Sequence, residues 1–476
     1  MIRRRLTVAP DGETLRAGFV AIRAELAVPE EFDPVALAEA AAAAASGPDD
    51  VRLGEADRAD LRHLELVTVD PPGSTDLDQA VHLERTAHGY RVRYAIADVA
   101  AFVAPGGALD AAAHARAETV YCPDRRIPLH PPVLSEGSAS LLAGQDRPAV
   151  VWTIELDADG AVTSTDVRRA LVRSRAQLAY PEVQRDLDAA RGDDDGFPTL
   201  LAEIGALRRA AELARGGVSL GRAEQEVVPD GDGWDVRFRT GLAVEEHNAQ
   251  ISLLTGMAAA RLMLEGRIGV LRTMPPAEPE SLAQLRRQAH ALGVPWEDDD
   301  SYGDVLARVD HARPETAAFL AAATRLFRGA AWTTFDGVPP DILEHSAVAA
   351  PYAHVTAPLR RLVDRYGLEV CLAVSSGRAV PEWVRAALPS LGRDMAAGAQ
   401  RSGAVDRECT ALVEAAVLAP HVGRVFEAVA ITRETVQLED PAVVAPCDGP
   451  LPEGDPLRVR LVTADVARRE VRFTRA

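Results

Sequence analysis

Three aspartates fall within the short run Val69-Asp70-Pro71-Pro72-Gly73-Ser74-Thr75-Asp76-Leu77-Asp78-Gln79. Carboxylates held this close repel one another, and where water is scarce they require protons or cations. No His or Cys stands in the run. Oxygen-only ligands suit Mg²⁺ or Mn²⁺ rather than zinc. Two such ions about 4 Å apart can activate water and stabilise the leaving oxygen of a phosphodiester. A loop whose acids cap turns and helices is the alternative reading of the same residues.

The surrounding pattern says how the acids could be brought together. Residues 64–69 form an apolar run that ends at Asp70, and residues 77–83 resume it. The Pro-Pro-Gly turn can fold Asp70 back beside the other two. Asp76 and Asp78 lie two apart and would share a face of the second strand. Beyond Gly89, Tyr90, Val92, Tyr94 and Ile96 alternate with Arg91, Arg93 and Ala95, the period of a half-buried strand. Residues 150–156 read as another strand, closed by the turn Asp157-Ala158-Asp159-Gly160. Helical spacing covers 34–45, 200–216, 245–266, 279–292 and 314–331. A Ser-Gly-Pro-Asp-Asp break follows at 46–50. Asp193–Asp195 and Asp298–Asp300 read as solvated loops. From about Val422, short β-like runs (424–431, 435–438, 457–462, 470–474) separated by Pro and Gly turns predict a small five-stranded barrel.

Composition bounds the rest. The 476 residues are 47% hydrophobic, enough for a sizeable core. The formal charge of −19 argues against a general nucleic-acid coat protein but not against an enzyme with a local positive channel. All 52 basic residues are arginine, so any phosphate contact must come from a guanidinium, a backbone amide or a neutral donor. Cys122, Cys371, Cys409 and Cys447 make no C-x-x-C pair, and reduced, separate thiols are expected, with no disulfide partners. Asp11 and Glu13 interrupt any apolar run after Arg3-Arg4-Arg5, so a secretory signal is not indicated. The alanines of 38–45 are too few to span a bilayer. A soluble cytoplasmic protein, not a membrane protein, is the expectation; the oligomeric state stays open.

The aspartate run, preceded by Arg58-Ala59-Asp60-Leu61-Arg62, resembles the signature of the RNB-domain exoribonucleases, the ribonuclease II and ribonuclease R family. The likeness continues through Ala97-Asp98-Val99-Ala100, Tyr121, Ile127-Pro128-Leu129, Leu134-Ser135-Glu136 and Glu245-Glu246-His247-Asn248. It returns at His345 and at Tyr352-Ala353-His354-Val355-Thr356-Ala357-Pro358-Leu359-Arg360-Arg361. These motifs, in the family's order, cover roughly residues 55–410.

The resemblance implies an α+β fold: an RNB-type catalytic domain of mixed sheet and helices over 56–415, after a short lead-in at 1–55 and before a shortened S1/OB-like barrel at 420–476. It implies hydrolysis of single-stranded RNA from the 3′ end to nucleoside 5′-monophosphates, with Mg²⁺ or Mn²⁺ as cofactor. Asp70, Asp76 and Asp78 would be metal ligands, and Asp78 would also act in catalysis. Gln79 stands where the family usually has a further Asp; its carbonyl can touch a metal but brings no charge. Arg360 matches the family's catalytic arginine, where a fixed guanidinium meets charge on the phosphoryl oxygens. Tyr121 matches the aromatic that stacks on the terminal base. Arg361, His354, Glu245 and Asn248 would contact RNA, with packed or hydrogen-bonded scaffold roles as the alternative for the histidines (His345 included), Glu245 and Asn248. Asp98 reads as structural. Only about 65 residues precede the acidic loop, too few for the two cold-shock barrels common in the family. Barrel aromatics are few (Phe426, Phe473), leaving arginines such as Arg458, Arg460, Arg468, Arg469, Arg472 and Arg475 to grip phosphates or form a solvated face. A weakened or inactive RNB scaffold that binds RNA is the competing expectation.

Overall fold

The computed structural model describes residues 12–46, 58–190, 196–218, 224–310 and 313–476. The Arg3–Arg5 segment, most of the 46–50 break and Asp193–Asp195 lie outside the described residues.

A seven-stranded mixed sheet carries the acidic loop. Its spatial order is Ala59–Asp60, Val162–Arg173, Asp146–Asp157, Gly89–Ala97, Gln79–Thr86, Val67–Asp70 and Ala176–Ala179. The outermost pair at each edge is parallel and the inner pairs are antiparallel. The alternation read in Gly89–Ala97 holds. Tyr90, Val92, Tyr94 and Ile96 are buried, while Arg91 and Arg93 reach across the opposite face to Glu84, at 2.5 and 2.7 Å. Near the end of this strand Ala95 and Ala97 are buried too, under the Pro34–Ala45 and Ala108–Arg116 helices. The sheet is therefore covered on both faces where the acidic loop leaves it and on one face elsewhere.

Against the other face pack the helices Phe197–Ala214, Ala243–Gly266 and Leu362–Ser375, sharing one apolar core with Trp152. The 314–331 helix expected from spacing ends early. Pro314–Ala323 is α-helical, a tight turn follows at Thr324–Leu326, and Ala331–Asp336 is a strand paired with Ile268–Thr273.

A 37-residue helix, Glu382–Leu418, then runs about 55 Å. It contacts the Gly12–Glu25 helix, the hairpin of Glu224–Asp230 with Gly233–Arg239, and the C-terminal barrel. The barrel is closed, in the order Val425–Ala430, Thr435–Gln437, Val444–Asp448, Glu470–Arg475, Pro456–Asp465. Phe426 and Phe473 meet edge to face inside it, 6.1 Å apart, so neither is a surface platform for bases. The molecule is thus a large mixed α/β domain with a small closed β-barrel at its C-terminal end. All four cysteines are free. Among the described residues no helix is long and apolar enough to cross a membrane.

Candidate active site

Asp70 closes its strand, and the next four residues turn the chain back. Pro72 presets the first central position of the turn, Gly73 takes φ +82°, and the Ser74 amide donates to the Pro71 carbonyl at 3.2 Å. Only glycine adopts that second central position readily. The following strand starts at Gln79, two residues later than its apolar pattern suggests. Leu77 is anchored elsewhere: its amide donates to the Ser140 hydroxyl at 3.0 Å. Asp76 and Asp78 therefore precede the regular strand and meet different partners.

Asp78 is buried. Its Oδ1 accepts from the Leu359 amide at 2.7 Å, and Arg360 Nε stands 3.4 Å from Oδ2. Burial pushes the Asp78 carboxyl up to about 8, against the pull of Arg360 and the Leu359 amide. Burial also raises Asp70, to about 6, with Arg360 opposing and Asp76 adding to the rise. Asp70 Oδ2 is buried with no hydrogen-bond partner. Asp76 is paired with Arg126, whose other nitrogen donates to Thr75 Oγ1 at 2.9 Å and Glu136 Oε1 at 2.7 Å. Arg126 was not among the residues singled out from sequence. It lies one position before the Ile-Pro-Leu motif, and a lone arginine carries no signal of the loop it will meet.

The three aspartates thus share one electrostatic site without forming a ready cage. Among the described residues no group of three or more His, Cys, Asp or Glu side chains is arranged to hold a metal ion. Two of the three carboxylates have protein partners here: Arg126 engages Asp76, and the arginine loop engages Asp78. The unpartnered Asp70 oxygen nevertheless fits a cation, which would satisfy it.

The arginine loop is ordered from several sides. Arg360 is half exposed, its carbonyl accepting from the Thr119 amide at 3.0 Å. Thr119 leads into Val120–Tyr121, which pairs with Arg126–Ile127, so Tyr121 is placed beside the same loop and directly opposite Arg126. Tyr121 is 52% exposed, leaving its ring open to a stacking partner. Gln79, whose carbonyl is expected to touch a metal, donates its side-chain amide nitrogen to the Thr356 carbonyl.

The remaining candidates are engaged by protein. Arg361 forms a two-pronged pair with Asp364, at 3.0 and 2.9 Å, and Asp364 also accepts from the Ala357 amide. Burial, with Arg361 and Arg272 nearby, holds the His354 ring well below its usual range, and Trp332 donates to its Nδ1 at 3.2 Å. His345 packs on Tyr352 in the same aromatic group. Glu245 is paired with Arg239 at 2.5 Å, and Asn248 donates to the Tyr180 hydroxyl at 3.1 Å. Tyr180 follows the strand next to Asp70, which brings Asn248 to the rim of the acidic site. Asp98, buried, accepts from Arg169, which also binds Glu369 on the helix after the arginine loop. Asp300 serves its own loop, pairing with Arg308. Most barrel arginines have acidic neighbours: Arg469 with Glu408 and Glu25, Arg472 with Asp448, Arg458 with Glu427.

The profile of the RNB domain matches residues 58–370, the whole stretch that builds this site. The chain belongs to the RNB-domain exoribonuclease family. Residues 424–476 match the C-terminal S1 domain of RNase II-type exonucleases. The "Exosome complex exonuclease RRP44 homolog A" of Arabidopsis thaliana is 32% identical over 67% of this chain and 36% of that protein. The "Inactive exonuclease DIS3L2" of the same plant is 29% identical over 64% of this chain and 32% of its own length. The apo form of Mycoplasma genitalium RNase R superposes with a TM-score of 0.84 at 19% identity, covering 98% of this chain and 78% of that one. This chain spans about a third of the length of the RRP44 relatives it matches.

Proposed function

We propose that this RNB chain is a divalent-metal-dependent exoribonuclease that shortens single-stranded RNA from the 3′ end and releases nucleoside 5′-monophosphates. The carrying observation is the Arg360 guanidinium held 3.4 Å from buried Asp78 on a loop tied to the acidic strand. A fixed cation at that place is worth most when charge builds on the scissile phosphoryl oxygens. Asp70, Asp76 and Asp78 are the groups that would hold Mg²⁺ or Mn²⁺. The ion's contribution, when bound, is to activate water and stabilise the leaving oxygen. Tyr121 stacks on the 3′-terminal base and so sets which phosphodiester meets Arg360. Asn248, hydrogen-bonded to the Tyr180 hydroxyl, reaches ribose hydroxyls. Arg361, His354 and Glu245, engaged by protein partners, support the site by shaping the loop and helix that carry its groups. The free thiols and the acidic charge fit a cytoplasmic setting.

A second reading is an RNA-binding scaffold without turnover. Gln79 favours it, standing where the family has an acid, and so does the similarity to a relative described as inactive. Purified protein is incubated with 3′- and 5′-labelled single-stranded RNA in Mg²⁺ and in Mn²⁺, beside Asp78→Asn. Release of labelled monophosphate from the 3′ end, absent in the variant, is expected. Binding without release in either metal selects the scaffold reading.

A further inference from the structure

Asp78 and Gln79 are neighbours in the chain, and each grips the same distant loop. Asp78 accepts from the Leu359 amide at 2.7 Å. Gln79 donates its side-chain amide to the Thr356 carbonyl, three residues earlier in that loop. The two side chains match what they meet. A carboxylate only accepts, and it faces an N–H; a carboxamide can donate, and it faces a C=O. The assignment of the Gln79 nitrogen follows from this chemistry, since a carbonyl offers nothing to an amide oxygen. On its other side Thr356 exchanges a hydroxyl hydrogen bond of 2.8 Å with Ser252, from the helix Ala243–Gly266. An acid at position 79 would place two acceptors face to face, or, being shorter as aspartate, would not span the gap.

We propose that Gln79 is a positioning residue: with Asp78 it clamps the Thr356–Arg361 loop onto the acidic strand and so fixes Arg360. The residue that marks the departure from the family's acidic pattern thereby acts through the arginine rather than through a cation. The consequence for turnover rests on the nuclease reading above; the clamp itself does not.

Two measurements test it. The first is amide hydrogen exchange of metal-free, RNA-free protein. In Gln79→Glu, which keeps the shape and loses the donor, the amides of Ala357, Leu359, Arg360 and Arg361 should exchange about tenfold faster, the scale of one neutral hydrogen bond. Exchange across Gly89–Ala97 should stay unchanged and certifies the fold. Gln79→Ala serves in its place if the glutamate variant does not fold.

The second is single-turnover cleavage. Gln79→Glu should lower the chemical rate about tenfold with RNA affinity within about twofold. In an Arg360→Ala background the same change should cost nothing more, because the two act as one unit. Unchanged loop exchange overturns the clamp, as does full additivity with Arg360→Ala. A Gln79→Asp protein that binds Mn²⁺ more tightly and cleaves faster than wild type also overturns it, placing residue 79 at the cation. If no form cleaves RNA, the nuclease reading falls and the exchange measurement still decides the clamp.

Discussion

Arg126 lies on the Asp76 carboxylate and extends its other arm to Glu136, 2.7 Å away. A guanidinium so placed does two opposite things: it neutralises an acid a divalent ion would use, and it offers donors to a phosphate. Arg126→Ala should therefore tighten Mn²⁺ binding in calorimetry while weakening single-stranded RNA. The slope of log affinity against log salt should fall by about 0.7, one phosphate contact. Weaker Mn²⁺ binding in the variant would show that Arg126 orders Asp76 instead of competing for it.

On the proposed reading Arg360 would meet the developing charge, so its loss should appear in the chemical step. Arg360→Ala should lower kcat by about 10²–10³-fold with KM for RNA little changed. Arg360→Lys should recover little, because the point charge lacks the planar fork. A loss confined to KM would make Arg360 a binding residue only.

Tyr121 offers an open ring next to Arg126 and the arginine loop. Tyr121→Ala should weaken binding of a short 3′-terminal oligonucleotide by about 1–3 kcal/mol, the scale of one stacked base, and shift the length of the final product. Tyr121→Phe should retain both. An alanine variant with unchanged product length would remove Tyr121 from the register of cleavage.

Glu414 gives a pH dependence remote from the acidic site. It sits buried where the long helix meets the hairpin and the barrel, accepting from Gln225 at 2.7 Å and the Val444 amide at 3.1 Å. Burial pushes it up to about 7. A folded-state pKa above the unfolded value means the protonated acid favours the fold. That contribution is complete below about 4.5 and is lost as pH rises through 7. Glu414→Gln, which keeps an acceptor and removes the titration, should flatten the fall in Tm between pH 5 and pH 8. The recovered stability at pH 8 is up to about 3 kcal/mol. Parallel Tm profiles for the two proteins would contradict the assignment.

What could be read from sequence was what local chemistry controls. The helix Pro34–Ala45 is announced by Asp33, whose carboxylate caps Val35, and by proline in the first turn. The alternation of Gly89–Ala97 and the Pro-Pro-Gly turn were equally local. Contacts that close over long stretches of chain were not legible. Gln79 meets a carbonyl 277 residues away and Arg126 an acid 50 residues away, and neither spacing has a periodic signature. The helix Glu382–Leu418 is not among the helices read from spacing; its internal Pro389 and its glycines are weak local helix formers. Gly398 is required by packing instead: a Cβ there would come within 2.6 Å of Ala117 Cβ, just before the strand that carries Tyr121.

That long helix has a consequence for how the molecule comes apart. One continuous apolar cluster joins Phe19 of the first helix, Trp234 of the hairpin, Leu412 of the long helix and Phe473 of the barrel. The barrel packs into this cluster through apolar side chains, so neither part can open without exposing the flank of the other. Two modules that sequence profiles separate should therefore absorb heat as one: a single calorimetric peak, with van't Hoff and measured enthalpies in agreement.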